Sequence, residues 1–444
     1  MRSSRSRSPR RFVTLALTVL ATVASGLLVA PSAQASNVVT PGSFTGYGFD
    51  QCHTPSQSAM DAWLTSSPYW AVGIYLSGDS RYCLDQPNLT PEWVDTQLAN
   101  GWRLLPITLG PQAWCTTRDR YRQQVRIRPD STDGYAKARS QGAAEARKTQ
   151  TAAAALGIAP GSTMWYDIEA FDISRTDCRE SALGFLSAWT ETLHQLGYVS
   201  GIYSSGGSGI KMLDDARVNR PGTYTMPDQL WIADWNGRAS VGSQYVRADG
   251  WMPRLRVHQY RGGHDERHGG VTINIDNNFL DLGRGSVLRR APRHCGGVNI
   301  DFGSYATVRP GSQGDLVKAV QCLLREKKLY GGPVDGVYSS ALGEVVKQYR
   351  ADHGLGAWPA TSRKTWVALL SQGAAPLLKY GSASPAVRRL QRALNAADSA
   401  KLAVTGTFEG TTTVAVKRYQ HDHGLPATGV VTTEMSTLLK SGAR

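Results

Sequence analysis

The C-terminal part of the chain repeats itself at a constant offset of 70 residues. The run VDGVY at 334–338 corresponds to VTGTF at 404–408, and the motif DHGL occurs at both 352–355 and 422–425. The offset holds without a gap through the whole region. A fixed repeat of this length is typical of a duplicated structural unit, so we expect two copies of one small module.

The spacing of apolar residues predicts three helices in each copy. In the first copy Val317, Val320 and Leu324 recur at three- and four-residue intervals, which places them on one face of an amphipathic helix. The second helix ends at a glycine, Gly354 in one copy and Gly424 in the other. These boundaries predict two three-helix modules, at 305–372 and 375–442, preceded by a linker at 284–304.

The first 35 residues have the composition of a secretory signal peptide. Five arginines and no acid lie within 1–11, an uncharged apolar run follows over 12–30, and 33–35 (AQA) supplies a cleavage site of small residues. A membrane anchor is the alternative, but the apolar run is near the lower length limit for spanning a bilayer. We predict a signal peptide at 1–35 and an exported chain, by either the general or the twin-arginine route.

The chain is strongly basic. Its formal net charge of +14 becomes +9 when the five arginines of the predicted signal peptide are removed. The basic residues are scattered and no nucleic-acid-binding motif is recognisable, so no nucleic-acid partner is expected. Outside the cell, a positive charge favours association with an anionic wall.

Six cysteines remain after the predicted cleavage, and an even number in an exported chain favours disulfides. Six cysteines allow 15 pairings. Pairing of sequence neighbours is one choice among these, and it gives Cys52–Cys83, Cys115–Cys178 and Cys295–Cys322.

Between the predicted signal peptide and the repeats, short apolar runs alternate with longer amphipathic stretches. About 240 residues of alternating strand and helix predict an α/β fold with a (β/α)8 TIM-like barrel at 36–283. Little helix is expected around the last three strands, so the barrel is expected to be irregular there. The eight predicted strands are 44–50, 71–77, 103–109, 163–169, 199–204, 229–235, 255–260 and 271–276.

Acidic residues lie at the ends of four predicted strands. Asp50 ends the first strand, Asp167 and Glu169 the fourth, Asp234 lies in the sixth, and Asp276 ends the eighth. In a barrel of this kind the chemistry takes place at the carboxyl ends of the strands. Charged groups on apolar strands are costly to bury without a partner or a function, so these acids predict an active site or binding cleft.

Asp167 and Glu169 form the sharpest candidate pair. Residues two apart on a strand project to the same side. Glycoside hydrolysis uses two carboxyl groups, one as proton donor and one to stabilise positive charge on the sugar. The alternative is that both carboxylates pair with arginines or cap a loop.

The two repeats resemble the peptidoglycan-binding domain type 1 family. The matching features are the Gly-Ser before the first helix, the glutamine within it, the Val-x-Gly-x-aromatic turn and the Tyr-x-x-x-His-Gly-Leu that ends the second helix. The resemblance implies a cell-wall polysaccharide, peptidoglycan, as partner. A purely structural helical tail is the alternative.

The barrel resembles the muramidases of glycoside hydrolase family 25 and, more closely, a related glycoside-hydrolase-like family known as domain of unknown function 1906. His258-Gln259-Tyr260 departs from the Trp-Gln-Tyr usual in those muramidases. The muramidase-like motifs are GFD at 48–50, YDIE at 166–169, GIYSS at 201–205, LWIADW at 230–235 and IDNN at 275–278. The motifs of the closer family are FDQC at 49–52, PNLT at 87–90 and PQAWC at 111–115.

The resemblance implies roles for the acids. Glu169 would be the general acid, and Asp167 would orient the N-acetyl group of the substrate or stabilise the oxocarbenium-like state. Asp50 and Asp276 would be supporting catalytic carboxylates. The residues expected to bind the sugar are Tyr166, Tyr203, Asp234, Trp235 and Gln259.

The sequence therefore predicts a secreted, monomeric, wall-associated protein that hydrolyses peptidoglycan glycan strands without a cofactor or metal. Two alternatives stay open: a protein whose barrel binds glycan without cleaving it, and an enzyme for another wall polysaccharide. His264, Asp265 and His268 could be imagined as metal ligands, but their glycine-rich and charged surroundings favour a solvated loop.

Overall fold

A computed structural model describes residue 1 and residues 37–284 and 293–444. Eight strands close into a barrel in sequence order. Each of the first six strands runs parallel to the next, and the eighth is antiparallel to both of its neighbours, the seventh and the first. The strands are β1 (Thr45–Asp50), β2 (Ala71–Ser77), β3 (Arg103–Thr108), β4 (Thr163–Asp167), β5 (Val199–Ser205), β6 (Gln229–Ala233), β7 (Arg256–His268) and β8 (Val271–Asp281).

Helices cover the barrel over most of its circumference, and within 37–284 none follows β6 or β7. This agrees with the helix-poor region expected around the last strands. The barrel helices are α1 (Gln57–Ser66), α2 (Pro91–Ala99), α3 (Asp119–Arg122), α4 (Ala136–Ala155), α5 (Thr176–Gln195) and α6 (Lys211–Asn219).

The last two strands give the barrel the irregular end that the sequence predicted. Gly269 and Gly270 both have positive φ, 56° and 83°. Two successive residues of that kind make a tight hairpin turn, which can join only antiparallel strands. β7 and β8 consequently form a long hairpin, and His264 and His268 lie on its first strand rather than in a loop.

Successive side chains of β4 point alternately to the barrel interior and to the surrounding helices. Trp165 and Asp167 face the interior, where Trp165 packs edge-on against Trp231. Met164 and Tyr166 face the helices, and the Tyr166 ring packs against α5. The interior is thus filled by large apolar side chains. Asp50 and Asp167 stand at the carboxyl ends of β1 and β4, whereas Asp276, which was expected to end the eighth strand, lies within β8, a strand that runs in the opposite direction.

Three disulfides join the six cysteines, and the pairs are those given by sequence neighbours: Cys52–Cys83, Cys115–Cys178 and Cys295–Cys322. The first two lie within the barrel. The third ties the segment after the barrel to the first helix of the repeats.

The repeats form six helices whose starting residues keep the offset of 70. Isolated bridges keep it too, since Val308 pairs with Thr361 in the first copy and Leu378 with Val431 in the second. Both copies share one apolar core. The helices are α7 (Asp315–Glu326), α8 (Ser340–Asp352), α9 (Arg363–Ser371), α10 (Pro385–Asp398), α11 (Gly410–Asp422) and α12 (Thr433–Lys440).

The second repeat packs against the base of the barrel, at the amino ends of the strands. The Lys379 ammonium donates to the carbonyl oxygens of Leu64 (2.8 Å) and Ser67 (3.2 Å) at the end of α1. It also lies 4.4 Å from the ring centroid of Trp70 and 5.1 Å from that of Trp102, which immediately precede β2 and β3. Lys379 is only 1% exposed, so the repeat is held at the end of the barrel opposite the acids.

The predicted linker is not a free tether where the structure describes it. Asp301 pairs with Arg392 of α10 at 2.5 Å, and the Phe302 carbonyl accepts from the Asn395 side chain at 2.9 Å. These contacts fix residues near 300 on the second repeat. The predicted signal peptide and residues 285–292 of the predicted linker lie outside the described residues.

Among the described helices, none is both long and apolar enough to cross a membrane.

Candidate active site

A cavity of about 270 Å³ opens at the carboxyl ends of the strands. It brings together three of the acids singled out from the sequence, Asp50, Glu169 and Asp276. The rest of its wall carries aromatic and basic side chains and one disulfide. These lining residues include Tyr75, Arg81, Tyr82, Arg120, Tyr121, Cys52 and Cys83.

Asp50 and Asp276 are held together by one amide. The Gln259 Nε2 group donates to Asp50 Oδ1 (3.1 Å) and to Asp276 Oδ2 (3.2 Å). The Gln259 Oε1 atom accepts from the Tyr203 hydroxyl and from the Trp235 indole, each at 2.9 Å. All four contacts agree with one orientation of the amide, so Gln259 fixes both carboxyls relative to the two rings.

The two carboxyls differ in their hydrogen-bond partners and therefore in proton affinity. Burial raises the pKa of Asp50 to about 6, although bonds from Asn278 and Gln259 oppose the rise. Burial, followed by the nearby charges of Asp50 and Glu169, raises the pKa of Asp276 to about 8. Near neutral pH the pair thus favours one carboxylate and one protonated carboxyl.

Asp167 ends β4, and Glu169 lies just beyond it rather than within the strand. Gln112 braces this turn from both sides, because its side chain donates to the Asp167 carbonyl and accepts from the Glu169 amide, each at 2.8 Å. Both acids are therefore kept at the mouth of the barrel.

Asp167 lies beneath the cavity and is 2% exposed. Its Oδ2 atom accepts from the Tyr75 hydroxyl at 3.5 Å, and among the described residues its Oδ1 atom has no hydrogen-bond partner. Burial, then the charges of Glu169 and Asp50, raise its pKa well above the usual range. A protonated, half-satisfied carboxyl can still bond with an incoming polar group.

Glu169 is more accessible, with 21% of its side chain exposed, and Arg118 contacts it at 3.1 Å. The Tyr121 hydroxyl lies 3.4 Å from its other oxygen. The arginine pairing considered as an alternative for these acids is thus present at Glu169. Asp167 has no arginine within ion-pair distance among the described residues.

The structure places the five residues expected to bind sugar in four environments. Trp235 is 64% exposed beside the acids, and Tyr203 is partly buried within the Gln259 network. Gln259 itself is 1% exposed, which corrects its expected position on the surface of a subsite. Asp234 lies on the rim, bonded to the Asn236 amide.

Tyr166 does not reach the cleft. Its side chain is fully buried on the helix side of β4, and its hydroxyl donates to the Pro111 carbonyl at 2.7 Å. The expected sugar-binding role is therefore corrected. Neighbouring strand residues point to opposite faces, so the inward direction of Asp167 already implied this orientation.

Several residues of the site were not singled out from the sequence. Asn278 donates to Asp50 at 2.6 Å and accepts from the Trp231 indole at 2.7 Å. Tyr75, Gln112 and the arginines of the cavity wall also escaped notice. The family motifs include Asn278 and Gln112, but no local pattern gives the contacts of the others.

The three histidines of β7 bond to backbone carbonyls or to a carboxylate within the protein. Both ring nitrogens of His258 face backbone carbonyls, those of Ser240 and Asp234. His264 and His268 both bond to Glu266 on the β7–β8 hairpin. Among the described residues, the one group of three potential ligands in metal-binding range is Cys295, Cys322 and Glu326, and its two cysteines form a disulfide.

A barrel with a carboxylate-lined cleft, joined to a pair of three-helix repeats, defines a glycoside-hydrolase-like protein related to cell-wall glycan. The chain carries an Rv2525c-like, glycoside hydrolase-like domain, whose family model matches residues 61–280. The family model of the peptidoglycan binding domain matches residues 383–439, within the second repeat. The resemblances noted in the sequence are thereby confirmed.

Solved structures with similarity to this chain include three bacterial proteins. The Tat-secreted protein Rv2525c of Mycobacterium tuberculosis is 14% identical, with a TM-score of 0.35, and the match covers 53% of this chain and 95% of that chain. A family 25 glycosyl hydrolase from Bacillus anthracis is 13% identical, with a TM-score of 0.32 and coverage of 53% and 89%. The modular autolysin LytC from Streptococcus pneumoniae is 12% identical, with a TM-score of 0.33 and coverage of 53% and 46%. A search of curated protein sequences gave no match.

Proposed function

We propose that this protein is an exported hydrolase of peptidoglycan glycan strands, muramidase-like in its chemistry and held at the wall by its C-terminal repeats. The observation that carries this proposal is the convergence of four carboxyl groups at one end of the barrel, where burial raises the pKa of Asp50, Asp167 and Asp276. A glycosidase needs one protonated and one ionised carboxyl at the same time.

The proposed roles follow from accessibility. Glu169, on the cavity wall, is the group that acts as general acid at the scissile oxygen, after exchanging its contact with Arg118 for one with the substrate. Asp167 is protonated, and its Oδ1 atom has no hydrogen-bond partner among the described residues. It forms a hydrogen bond with the N-acetyl group of the substrate, either as donor or as acceptor. Asp50 and Asp276 supply the negative charge and the hydrogen bonds that hold the attacking water or the sugar hydroxyls. Trp235 and Tyr203 offer flat faces to sugar rings.

A second candidate function is glycan binding without cleavage. The ion pair between Arg118 and Glu169 favours it, because the proposed acid is already neutralised by a cation at 3.1 Å. In that case the cleft would recognise wall glycan and the repeats would add affinity through a second contact.

The proposal places the protein outside the cell, acting as a monomer on the wall. Three disulfides support an oxidising compartment. The basic composition of the expected mature chain supports attraction to an anionic polymer.

One experiment separates the two functions. The mature protein and its Glu169→Gln variant are incubated with purified peptidoglycan, and reducing ends and released fragments are measured. We expect release by the wild type and a loss of about 100-fold or more in the variant, the usual scale for removing a general acid. Glu92→Gln is the matched control, because Glu92 is an exposed glutamate on the outer helix α2.

The outcomes have distinct meanings. Binding to peptidoglycan without release by the wild type supports the non-catalytic function instead. Release that survives Glu169→Gln contradicts the role of that residue. The proton donor would then be Asp276, which also lines the cavity and has a raised pKa.

A further inference from the structure

The cavity that holds the acids also has basic and aromatic residues in its wall. Arg81, Tyr82 and Arg120 line the same cavity as Asp50 and Asp276. Tyr82 is 80% exposed. A guanidinium can donate to the hydroxyl and carbonyl oxygens of a neutral sugar, but two guanidinium groups in one cleft match an anionic group better.

Arg120 is held between two aromatic rings. Its guanidinium carbon lies 5.1 Å from the ring centroid of Tyr82 and 5.0 Å from that of Tyr121. One of its terminal nitrogens donates to the Ser80 carbonyl at 2.6 Å. The remaining N–H groups of Arg120 have no bond within the described residues, so they are available as donors.

Arg81 is braced in the same region. Its Nε donates to the Gly78 carbonyl at 2.8 Å and its Nη1 to the Tyr75 carbonyl at 2.9 Å. Within residues 37–284 and 293–444, neither Arg81 nor Arg120 has a carboxylate at ion-pair distance. Both cations are therefore positioned by neutral backbone oxygens, and Asp79, which forms its ion pair with Lys148, acts on Arg81 from beyond ion-pair distance.

The loop that carries Arg81 and Tyr82 is fixed to the segment that follows β1. The Cys52–Cys83 disulfide joins it to the residues that follow Asp50. The Gln86 side chain donates to the carbonyls of Cys52 (2.8 Å) and Cys83 (3.2 Å). A pre-positioned cation costs little further ordering when a ligand binds, which favours a recognition role.

We propose that Arg81 and Arg120 form a subsite for an anionic substituent, a carboxylate or a phosphate, on the glycan that occupies the cleft. Guanidinium groups suit both anions because their N–H donors match the spacing of two oxygens. Tyr82 then contacts the ring that carries the substituent. This inference rests on the proposed function for the location of the glycan, and it adds that the cleft selects acid-substituted sugars over neutral ones.

Binding measurements test the subsite without requiring turnover. Three disaccharides are titrated calorimetrically into the wild-type mature protein: N,N′-diacetylchitobiose, which is neutral; N-acetylglucosaminyl-N-acetylmuramic acid, which carries a carboxylate; and a 6-phosphate of the neutral disaccharide. We expect at least one anionic disaccharide to bind about tenfold more tightly than the neutral one, as for a charge-assisted contact. The stronger of the two anionic ligands identifies the substituent.

Variants assign the preference to the subsite. Arg120→Gln and Arg81→Gln are each expected to remove about tenfold of the affinity for the anionic disaccharide and to leave the neutral one unchanged. Arg122→Gln is the matched control, because Arg122 lies on the same short helix α3, pairs with Asp119 and does not line the cavity. Equal melting temperatures of all variants show that folding is preserved, and Arg120→Lys replaces any variant that fails to fold.

Several results would overturn the inference. These are equal affinity for neutral and anionic disaccharides, no binding of any of them, or a preference that survives both substitutions or is lost equally in Arg122→Gln. Absence of hydrolysis with the preference intact would contradict the proposed function alone. Hydrolysis without any preference would contradict the subsite alone.

Discussion

Asp50 and Asp276 face each other directly across the antiparallel ladder between β1 and β8. Cross-strand partners of this kind have Cα atoms roughly 4.5–5.5 Å apart, and here one amide, that of Gln259, bonds to both side chains. The hairpin that makes β8 antiparallel therefore creates the pair, because it puts the acid of β8 opposite the acid that ends β1. A regular parallel barrel would not give this register.

The activity of the protein should have a bell-shaped dependence on pH. The coupled pair titrates with pKa values of about 6 for Asp50 and about 8 for Asp276, so between these values one group is ionised and the other protonated. We expect kcat/KM for peptidoglycan to fall on the acid side near pH 6 and on the alkaline side near pH 8. A flat profile across this range would contradict a role for the pair in the chemistry.

The Asp276→Asn variant should be more stable than the wild type, and more so at alkaline pH. The pKa of Asp276 is raised in the folded state, so the folded protein favours the protonated carboxyl. The stability linked to that proton is complete below the unfolded pKa of roughly 4 and is lost as pH rises through about 8. The asparagine removes this loss, which we estimate at on the order of 2 kcal/mol after allowing for partial exposure. Melting curves at pH 5 and pH 9 measure it, and a gain that does not grow with pH would disagree.

Removing the Cys52–Cys83 disulfide should impair both stability and the cleft. The sequence separation of the two cysteines is 31 residues, against 27 for Cys295 and Cys322. By loop entropy each bridge contributes about 3–4 kcal/mol to the free energy of unfolding. Replacing both cysteines of either bridge by serine should therefore lower the melting temperature by a similar amount. Only loss of the first bridge releases the loop bearing Arg81 and should weaken the binding of anionic disaccharides.

The control for that comparison is the second pair of substitutions. The Cys295–Cys322 bridge lies at the start of the repeats, and neither residue lines the cleft. If both double variants lose disaccharide affinity to the same extent, the effect reflects general destabilisation rather than the position of the loop.

Local patterns in the sequence were enough to predict the barrel and to identify the acids of the site. Strand periodicity gave eight strand positions, and Asp50 and Asp276 were found because each lies at or near the carboxyl end of an apolar run. The burial of Gln259 could not be predicted from local patterns, because it depends on the register between β7 and β8 that only the hairpin sets. The wrong prediction for Tyr166 has another cause. Side chains alternate along a strand, so the inward direction of Asp167 already implied that Tyr166 faces the helices.

The packing of the second repeat against the barrel also could not be predicted from the sequence. Lys379 corresponds to Arg309 at the offset of 70, and the two differ by one conservative exchange. Nothing local shows that Lys379 enters the barrel base while Arg309 remains exposed. The difference arises from the barrel surface that happens to lie against one copy, which is a long-range property.

Lys379→Ala should uncouple the second repeat from the barrel. The substitution removes a buried side chain that contacts Trp70 and Trp102 and leaves two carbonyl oxygens without their donor. We expect a loss of about 2–4 kcal/mol, the sum of a cavity and of unsatisfied acceptors. Thermal unfolding followed by calorimetry should change from one transition to two, because the barrel and the repeats no longer stabilise each other. Arg309→Ala, the same position in the first copy, is exposed and should shift stability by no more than about 0.5 kcal/mol. If the two variants unfold alike, Lys379 is not what fixes the repeat to the barrel, and the fixed orientation of the wall-binding repeat behind the cleft would need another cause.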